Sequence, residues 1–212
     1  MNVDARALPD TRAGAADAPS DTAGAGRHDA AGAPLRIRAA GGADLAPFFA
    51  YLEDHLRDNG TGGTPLFQPL PPGQSSLPGG VRLSFIKGLD IAVGQPGWRR
   101  LWLALGPTGS IAGHIDLRSR PEMAAAHRAM LGMGVHRLYR RRGLGTRLLA
   151  TAADWAGRDA GLAWIDLEVL AHNRPAVELY ARNGFTTLAC IADMLRIDGA
   201  SYDLSYMTRA LR

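Results

Sequence analysis

The chain has 212 residues, 46% of them apolar, enough for the core of one ordinary domain plus a tail. No run of about 18 apolar residues occurs, and the N-terminus lacks a basic stretch followed by an apolar one, so neither a membrane span nor a secretory signal is expected. The formal charge of +4 is uneven: residues 1–34 carry three arginines against five aspartates, so the excess of +6 falls on the remainder and gathers around residues 137–147, a patch narrow enough for a small polyanion and too narrow for the usual nucleic-acid stripe.

Residues 1–34 are Ala, Gly, Asp, Thr and Pro with almost no large apolar side chains, so burial cannot offset their ordering entropy and a disordered extension is expected. Leu35–Ala39 alternates apolar with basic residues and reads as the first strand. Asp44 is placed to cap a helix running to Leu56, with Leu45, Phe48, Phe49 and Leu52 on one face. Asn59 to Gly80 is dense in Gly, Pro and Ser and reads as a long irregular loop, of the kind that borders a substrate cleft. Val81, Phe85, Leu89 and Ala92 have helical spacing within Val81–Val93.

From Trp98 onward the pattern is mostly of strands. Arg100–Leu105 and Ser110–Leu117 flank the turn signal Gly106–Pro107–Thr108–Gly109 and form a hairpin, with His114 and Asp116 facing away from Ile111, Ile115 and Leu117. Ala129–Val135 is the next strand; Gly132 and Gly134 inside it require either a bulge or a close approach to the backbone. A helix follows from Leu144, its apolar face marked by Leu148, Leu149, Ala152, Trp155 and Ala156. Ala163–Val169 is a strand, a helix starts near Asn173 and Pro175 and stops at Gly184, and Phe185–Ile191 and Tyr202–Met207 close the chain as strands. The expected architecture is α/β (α+β): one mixed sheet with helices on both faces.

Two stretches carry chemistry. The first is Val135–Leu149, a strand end, a turn with Gly143 and Gly145, and a helix start. A helix begins with unpartnered N–H groups and about half a unit of positive charge, and glycines there let a ligand reach the backbone, so with Arg140, Arg141, Arg142 and Arg147 this is a cradle for a diphosphate. No lysine follows the glycines, and Leu148 stands where a dinucleotide fingerprint has its third glycine, so both nucleotide loops are excluded. What remains is R-x-x-G-x-G, Arg140 to Gly145. The second stretch is N-R-P-A-V-E-L-Y-A-R-N-G-F, Asn173 to Phe185.

Together these resemble the two signatures of the GNAT superfamily of N-acetyltransferases, Q/R-x-x-G-x-G/A and N-x-x-A-x-x-L-Y-x-x-x-G-F, in the same order and separation. The resemblance covers about residues 35–212 and is firm from Met133 to Phe185; within the superfamily, Leu167–Asn173 is similar to the RimI-like type that acetylates ribosomal-protein N-terminal alanine. It implies a single GNAT-type domain with a mixed, mostly antiparallel sheet. It also implies acetyl-CoA as co-substrate and a primary amine, of a small molecule or a protein, as acceptor in direct ternary-complex transfer. Met133, Gly134 and Val135 would offer backbone groups to pantetheine. Arg140, Arg141, Arg142, Gly143, Leu144, Gly145 and Thr146 would hold the pyrophosphate, Asn173 would contact the pantetheine arm, Glu168 would be the base or water-orienting group, and Tyr180 the acid to the leaving thiolate. His136 and Arg137 depart from the carboxylate or proline common after this strand, and the Asn59–Gly80 loop also differs, so the acceptor stays open.

The residues alone leave alternatives. Glu168 also reads as a solvated strand residue, Tyr180 as a packed core tyrosine, and Asn173 as a helix cap with or without a ligand role. His114, His127, His136 and His172 have no metal-site spacing, so no metal is expected, and most read as surface residues. Cys190, the single cysteine, reads as a small buried residue; it excludes an internal disulfide and fits a reducing cytoplasm. Trp155 and Trp164 suit the core. A non-catalytic acyl-CoA sensing module on the same fold is the second functional class, and a nucleic-acid adaptor using Arg137–Arg147 the third; a homodimer stays open as the assembly.

Overall fold

The computed structural model describes residues 35–211, and the extension expected over residues 1–34 lies outside them. Seven strands form one sheet, β1 (Arg36–Ala39), β2 (Arg99–Leu105), β3 (Ile111–Ser119), β4 (Arg128–Val135), β5 (Trp164–Leu170), β6 (Thr186–Ile197) and β7 (Ala200–Ala210), in the order β1-β2-β3-β4-β5-β7-β6. Every neighbouring pair is antiparallel except β4–β5.

Strand alternation sends side chains to two cores. Leu101 and Leu103 of β2 join Phe48, Phe49, Leu52 and Phe85 from helices α1 (Leu45–Leu56) and α2 (Gly79–Gly88) on what we call the front. Trp102 and Ala104, the intervening residues, join Leu148, Leu149, Tyr180 and Phe185 on the back, with helices α3 (Leu144–Arg158) and α4 (Arg174–Arg182). Helices therefore cover both faces of a mixed sheet, as expected.

Several boundaries move for physical reasons. Asp44 does not cap α1: its carboxylate accepts the Gly41 N–H at 2.9 Å and a two-point ion pair from Arg38, closing a 3₁₀ turn over Gly42–Asp44, and Arg38 holds it down to about pKa 2. Helix α2 starts two residues early and stops at Gly88 rather than Val93; Gly88 lies close against β2, where a Cβ would stand 2.8 Å from both Arg99 Cβ and the Gly97 carbonyl. The final strands are longer than expected and joined by Asp198 (φ 50°) and Gly199 (φ 79°), a tight two-residue hairpin. Strand β6 is a sheet edge exposed almost throughout, so Cys190 is exposed, not buried.

The long loop is ordered by one buried residue. Asn59 donates through Nδ2 to Gln68 O, Leu70 O and Ser75 Oγ, and its Oδ1 accepts the N–H groups of Phe67 and Gln68. Leu66 is thereby carried across the front to pack with Leu170, Ile197 and Leu204. Helix α1, this loop and the far end of β5–β7 thus enclose one region in front of the sheet.

Candidate active site

The parallel pair β4–β5 is joined only at Arg128, Ala129 and Met130, opposite Trp164, Ile165 and Asp166. Beyond that rung the strands part, although β4 remains paired to β3 as far as Val135. The His136 N–H bonds Ala112 O at 3.0 Å, so by alternation the Gly134 N–H and C=O also face β3, and those of Met133 and Val135 face the gap. Gly134 therefore offers no free backbone edge to an arm lying in the gap; its contribution is its missing side chain. The Gly134 carbonyl is approached by the Tyr51 hydroxyl at 3.3 Å, and a Cβ on Gly134 would lie 2.5 Å from His55 Nε2. Gly132 is likewise overlaid by Asp116, 2.6 Å from a hypothetical Cβ. Both strand glycines answer a close approach from the front; neither marks a bulge.

The gap leads to the start of α3. Arg141 (φ 63°) and Gly143 (φ 78°) are both left-handed, which curls the turn ahead of α3. The N-cap is Gly143, which has no side chain to cap with, and the first intrahelical bond is Arg147 N–H to Gly143 O. The N–H groups of Leu144, Gly145 and Thr146 are left to an outside acceptor. Gly145 brings α4 close: a Cβ would meet Leu179 Cδ2 at 2.8 Å. The Leu144 side chain is buried and anchors the turn, while Arg141, Arg142 and Thr146 are exposed.

The Arg140 side chain turns away from the cradle. Its Nε donates to Val135 O at 3.0 Å, Nη1 to Thr64 Oγ1 at 3.0 Å and Nη2 to Asp58 at 2.6 Å, tying the long loop and the end of α1 to the phosphate turn. Arg137 pairs with Asp54 and Asp58, and Arg147 donates to Leu35 O. His136 is half-buried beside Asp54, its Nδ1 accepting the Leu138 N–H.

Tyr180 is set by how α4 ends. Gly184 (φ 83°) lets the Phe185 N–H reach Tyr180 O and its own N–H reach Ala181 O, and the rings of Tyr180 and Phe185 pack edge to face at 5.7 Å. This is a Schellman motif with its accompanying apolar contact. The tyrosine is buried, its pKa raised by burial alone, and its hydroxyl makes no hydrogen bond among the described residues. Asn173 caps α4, its Oδ1 accepting the Ala176 N–H at 3.4 Å; Nδ2 has no bond among the described residues. Glu168 is exposed on the front, opposite Tyr206 of β7. The start of α3 and Tyr180 thus belong to the back layer, and Glu168 faces the other side of the same gap.

Sequence reasoning missed the layer above β4. Tyr51 and His55 of α1 and His114 of β3 are buried there; His114 Nδ1 lies 3.2 Å from the Tyr51 hydroxyl, and the His55 ring stacks on Phe67 at 4.9 Å. Burial pushes both histidines down to about pKa 3, so both are neutral. The glycine pair 132 and 134, alternating on one face, was the available signal that bulky groups lie above. Among the described residues no group of three or more His, Cys, Asp or Glu is arranged to hold a metal, and no helix is long and apolar enough to cross a membrane.

The model of the acetyltransferase (GNAT) family matches residues 87–185, which include the gap, the cradle and α4. A Bacillus subtilis (strain 168) protein, uncharacterized N-acetyltransferase YycN, is 32% identical over 85 residues, 40% of this chain; the chain spans about half of that relative, 54% of its length. An acetyltransferase of the GNAT family from Streptococcus pneumoniae superposes with a TM-score of 0.67 at 23% identity, over 83% of this chain and 99% of that one. A GNAT superfamily phosphinothricin acetyltransferase from Sinorhizobium meliloti, solved in complex with acetyl-CoA, gives 0.65 at 16% identity over 83% and 88%. Strand order, parted strands and the likeness to these structures agree: residues 35–211 have the GNAT fold.

Proposed function

We propose that this protein is an acetyl-CoA-dependent N-acetyltransferase that moves an acetyl group to a primary amine by direct transfer in a ternary complex. The observation carrying the reading is continuity: the open edge of Met133 and Val135 runs into the uncapped start of α3 at Leu144–Thr146. A ligand with amides along an extended arm and a diphosphate at its end matches both. Met133 and Val135 pair with the arm, and Asn173 Nδ2 donates to it. Arg141, Arg142 and the backbone from Gly143 to Thr146 hold the diphosphate, while Arg140 acts by fixing Val135 and the turn. Acetyl-CoA supplies an activated acetyl group and a thiol leaving group.

The remaining roles follow from position. An amine acceptor is mostly protonated near neutrality, and the exposed carboxylate of Glu168 takes its proton directly or through water. Tyr180, kept in its neutral form by burial, donates from its hydroxyl to the departing sulfur. The RimI-like pattern at Leu167–Asn173 keeps a protein N-terminal amine among the acceptor classes to be tried, and the single cysteine keeps the cytoplasm as the proposed compartment.

Thiol release from acetyl-CoA over a panel of amines tests the reading. Turnover with at least one amine, lost in Tyr180→Phe while acetyl-CoA binding persists, is the expected result. Binding without turnover on any amine would overturn catalysis in favour of a sensing module.

A further inference from the structure

A cavity of about 410 Å³ opens on the front of the sheet at the last rung joining β4 and β5, lined among others by Arg120, Arg128, Met130, Asp166, Leu188 and Tyr206. It adjoins the proposed reaction centre. Tyr206 is the register partner of Glu168, so their side chains stand on one face, and Met130 and Asp166 form the rung beyond which the strands part. Its size suits a small molecule.

Its lining sets two guanidinium groups against two carboxylates, Asp166 buried and Glu122 exposed. Arg120 and Arg128 both converge on the buried carboxylate of Asp166, through Nη1 at 3.0 Å and Nε at 2.8 Å. Thr208 also donates to Asp166. Glu122, the other carboxylate in the lining, is well exposed and touches Arg120 Nε. Arg120 Nη2 and Arg128 Nη1 make no hydrogen bonds among the described residues. The charges balance, but the two guanidinium groups keep two unpaired donors in a cavity also lined by Met130, Leu188 and Tyr206, and only the exposed Glu122 competes there for an incoming acid.

We infer that this cavity selects the acceptor, and that the acceptor is a small amine also bearing an acidic group, a carboxylate or a phosphorus oxyacid. The acid seats on Arg120 and Arg128, the carbon body lies against Met130, Leu188 and Tyr206, and the amine points toward Glu168. This rests on the transferase reading above and narrows it.

The test compares thiol release with L-amino acids, their carboxamides and 2-aminoethylphosphonate, alongside calorimetric titration of the same compounds without acetyl-CoA. A charge-assisted pair predicts a preference of about tenfold or more in kcat/KM for acid over carboxamide, carried by KM. Arg120→Gln should bring that ratio near one with kcat changed less than about twofold, and Arg120→Lys should restore part of it. Calorimetric binding of the acids that Arg120→Gln abolishes supports the cavity even where turnover is absent. Equal or better use of carboxamides or diamines overturns this inference and leaves the transferase intact; absence of turnover on every amine, with acetyl-CoA still bound, overturns the transferase reading instead.

Discussion

Replacing His55 by Phe should make the fold less sensitive to acid. The His55 ring is 6% exposed, stacked between Tyr51 and Phe67, and its Nδ1 has no hydrogen-bond partner among the described residues. Burial first, then the neighbouring His114 ring, were it protonated, and the Arg140 guanidinium, opposed by Asp58, lower its pKa from 6.5 to about 3. In the unfolded chain it titrates at its ordinary value. Below pH 6.5 the unfolded state therefore takes up a proton that the folded state refuses, so stability is complete above that value and falls as pH drops toward 3. At about 1.4 kcal/mol per unit, going from about pH 7.5 to about pH 5 costs roughly 2 kcal/mol for this residue. His114, lowered to about 3 by burial and then Arg99, adds a similar amount, so the pair accounts for roughly 4 kcal/mol. Urea denaturation of wild type and His55→Phe at both pH values reads the difference. The variant should lose about half of that dependence and be no less stable near neutrality, because a ring carbon replaces a buried unpartnered nitrogen. An unchanged pH dependence would refute the assignment of His55 as a buried neutral residue.

Further expectations concern the glycines, the latch and the cap. Gly134→Ala places a Cβ 2.5 Å from His55 Nε2 and 2.8 Å from His114 Cε1, whereas at Gly143 nothing stands within 4 Å and only the positive φ is strained. Thermal melts should show roughly 2 kcal/mol or more lost at position 134 against about 1 kcal/mol at 143, and the reverse order would contradict the packing over β4. Arg140→Ala and Asp58→Ala should couple by about 0.5–3 kcal/mol in a double-mutant cycle, since the pair is largely sheltered; simple additivity would show that the latch contributes nothing. Asn173→Asp keeps the cap and should stay within a few tenths of a kcal/mol of wild type. Acetyl-CoA binding by the same variant, followed by calorimetry, should weaken because Nδ2 is lost, and unchanged affinity would leave Asn173 as a cap alone.

The parts legible in sequence are those set by short-range chemistry. Gly184 could be read as a helix stop and Asn173 as a cap because both act within one turn of the chain, and the Schellman closure then fixed Tyr180. The alternation of β2, β3 and β5 gave the sheet its faces. The length of β6 and β7 was missed because Asp193 (φ 51°) and an irregular register between Ile191 and Leu195 interrupt the alternation, leaving only Leu195 and Ile197 ahead of the turn signal Asp198–Gly199. The layer above β4 was missed because it depends on contacts between residues far apart: Tyr51 meets Gly134, His55 lies under Phe67, and Asn59 gathers a loop whose Leu66 reaches β7. Periodicity tells that a residue faces inward, and not which distant side chain it meets.

The basic patch shows the same limit in electrostatics. Counted along the sequence, Arg137, Arg140, Arg141, Arg142 and Arg147 form one cluster whose charge alone fits any polyanion. In the fold, Arg137 and Arg140 are taken up by Asp54 of α1 and Asp58 just beyond it, and Arg147 by the Leu35 carbonyl. Arg141 and Arg142 remain exposed, without ion pairs among the described residues, beside the uncapped N–H groups of α3. Two guanidinium groups and one helix terminus at a single point make a compact anion site, and an extended nucleic-acid backbone needs charge spread over many phosphates. Asp54 and Asp58 thus leave only two free guanidinium groups of a long basic run, as the proposed diphosphate site requires, and they do so with the same contacts that hold Val135 at the edge of the gap.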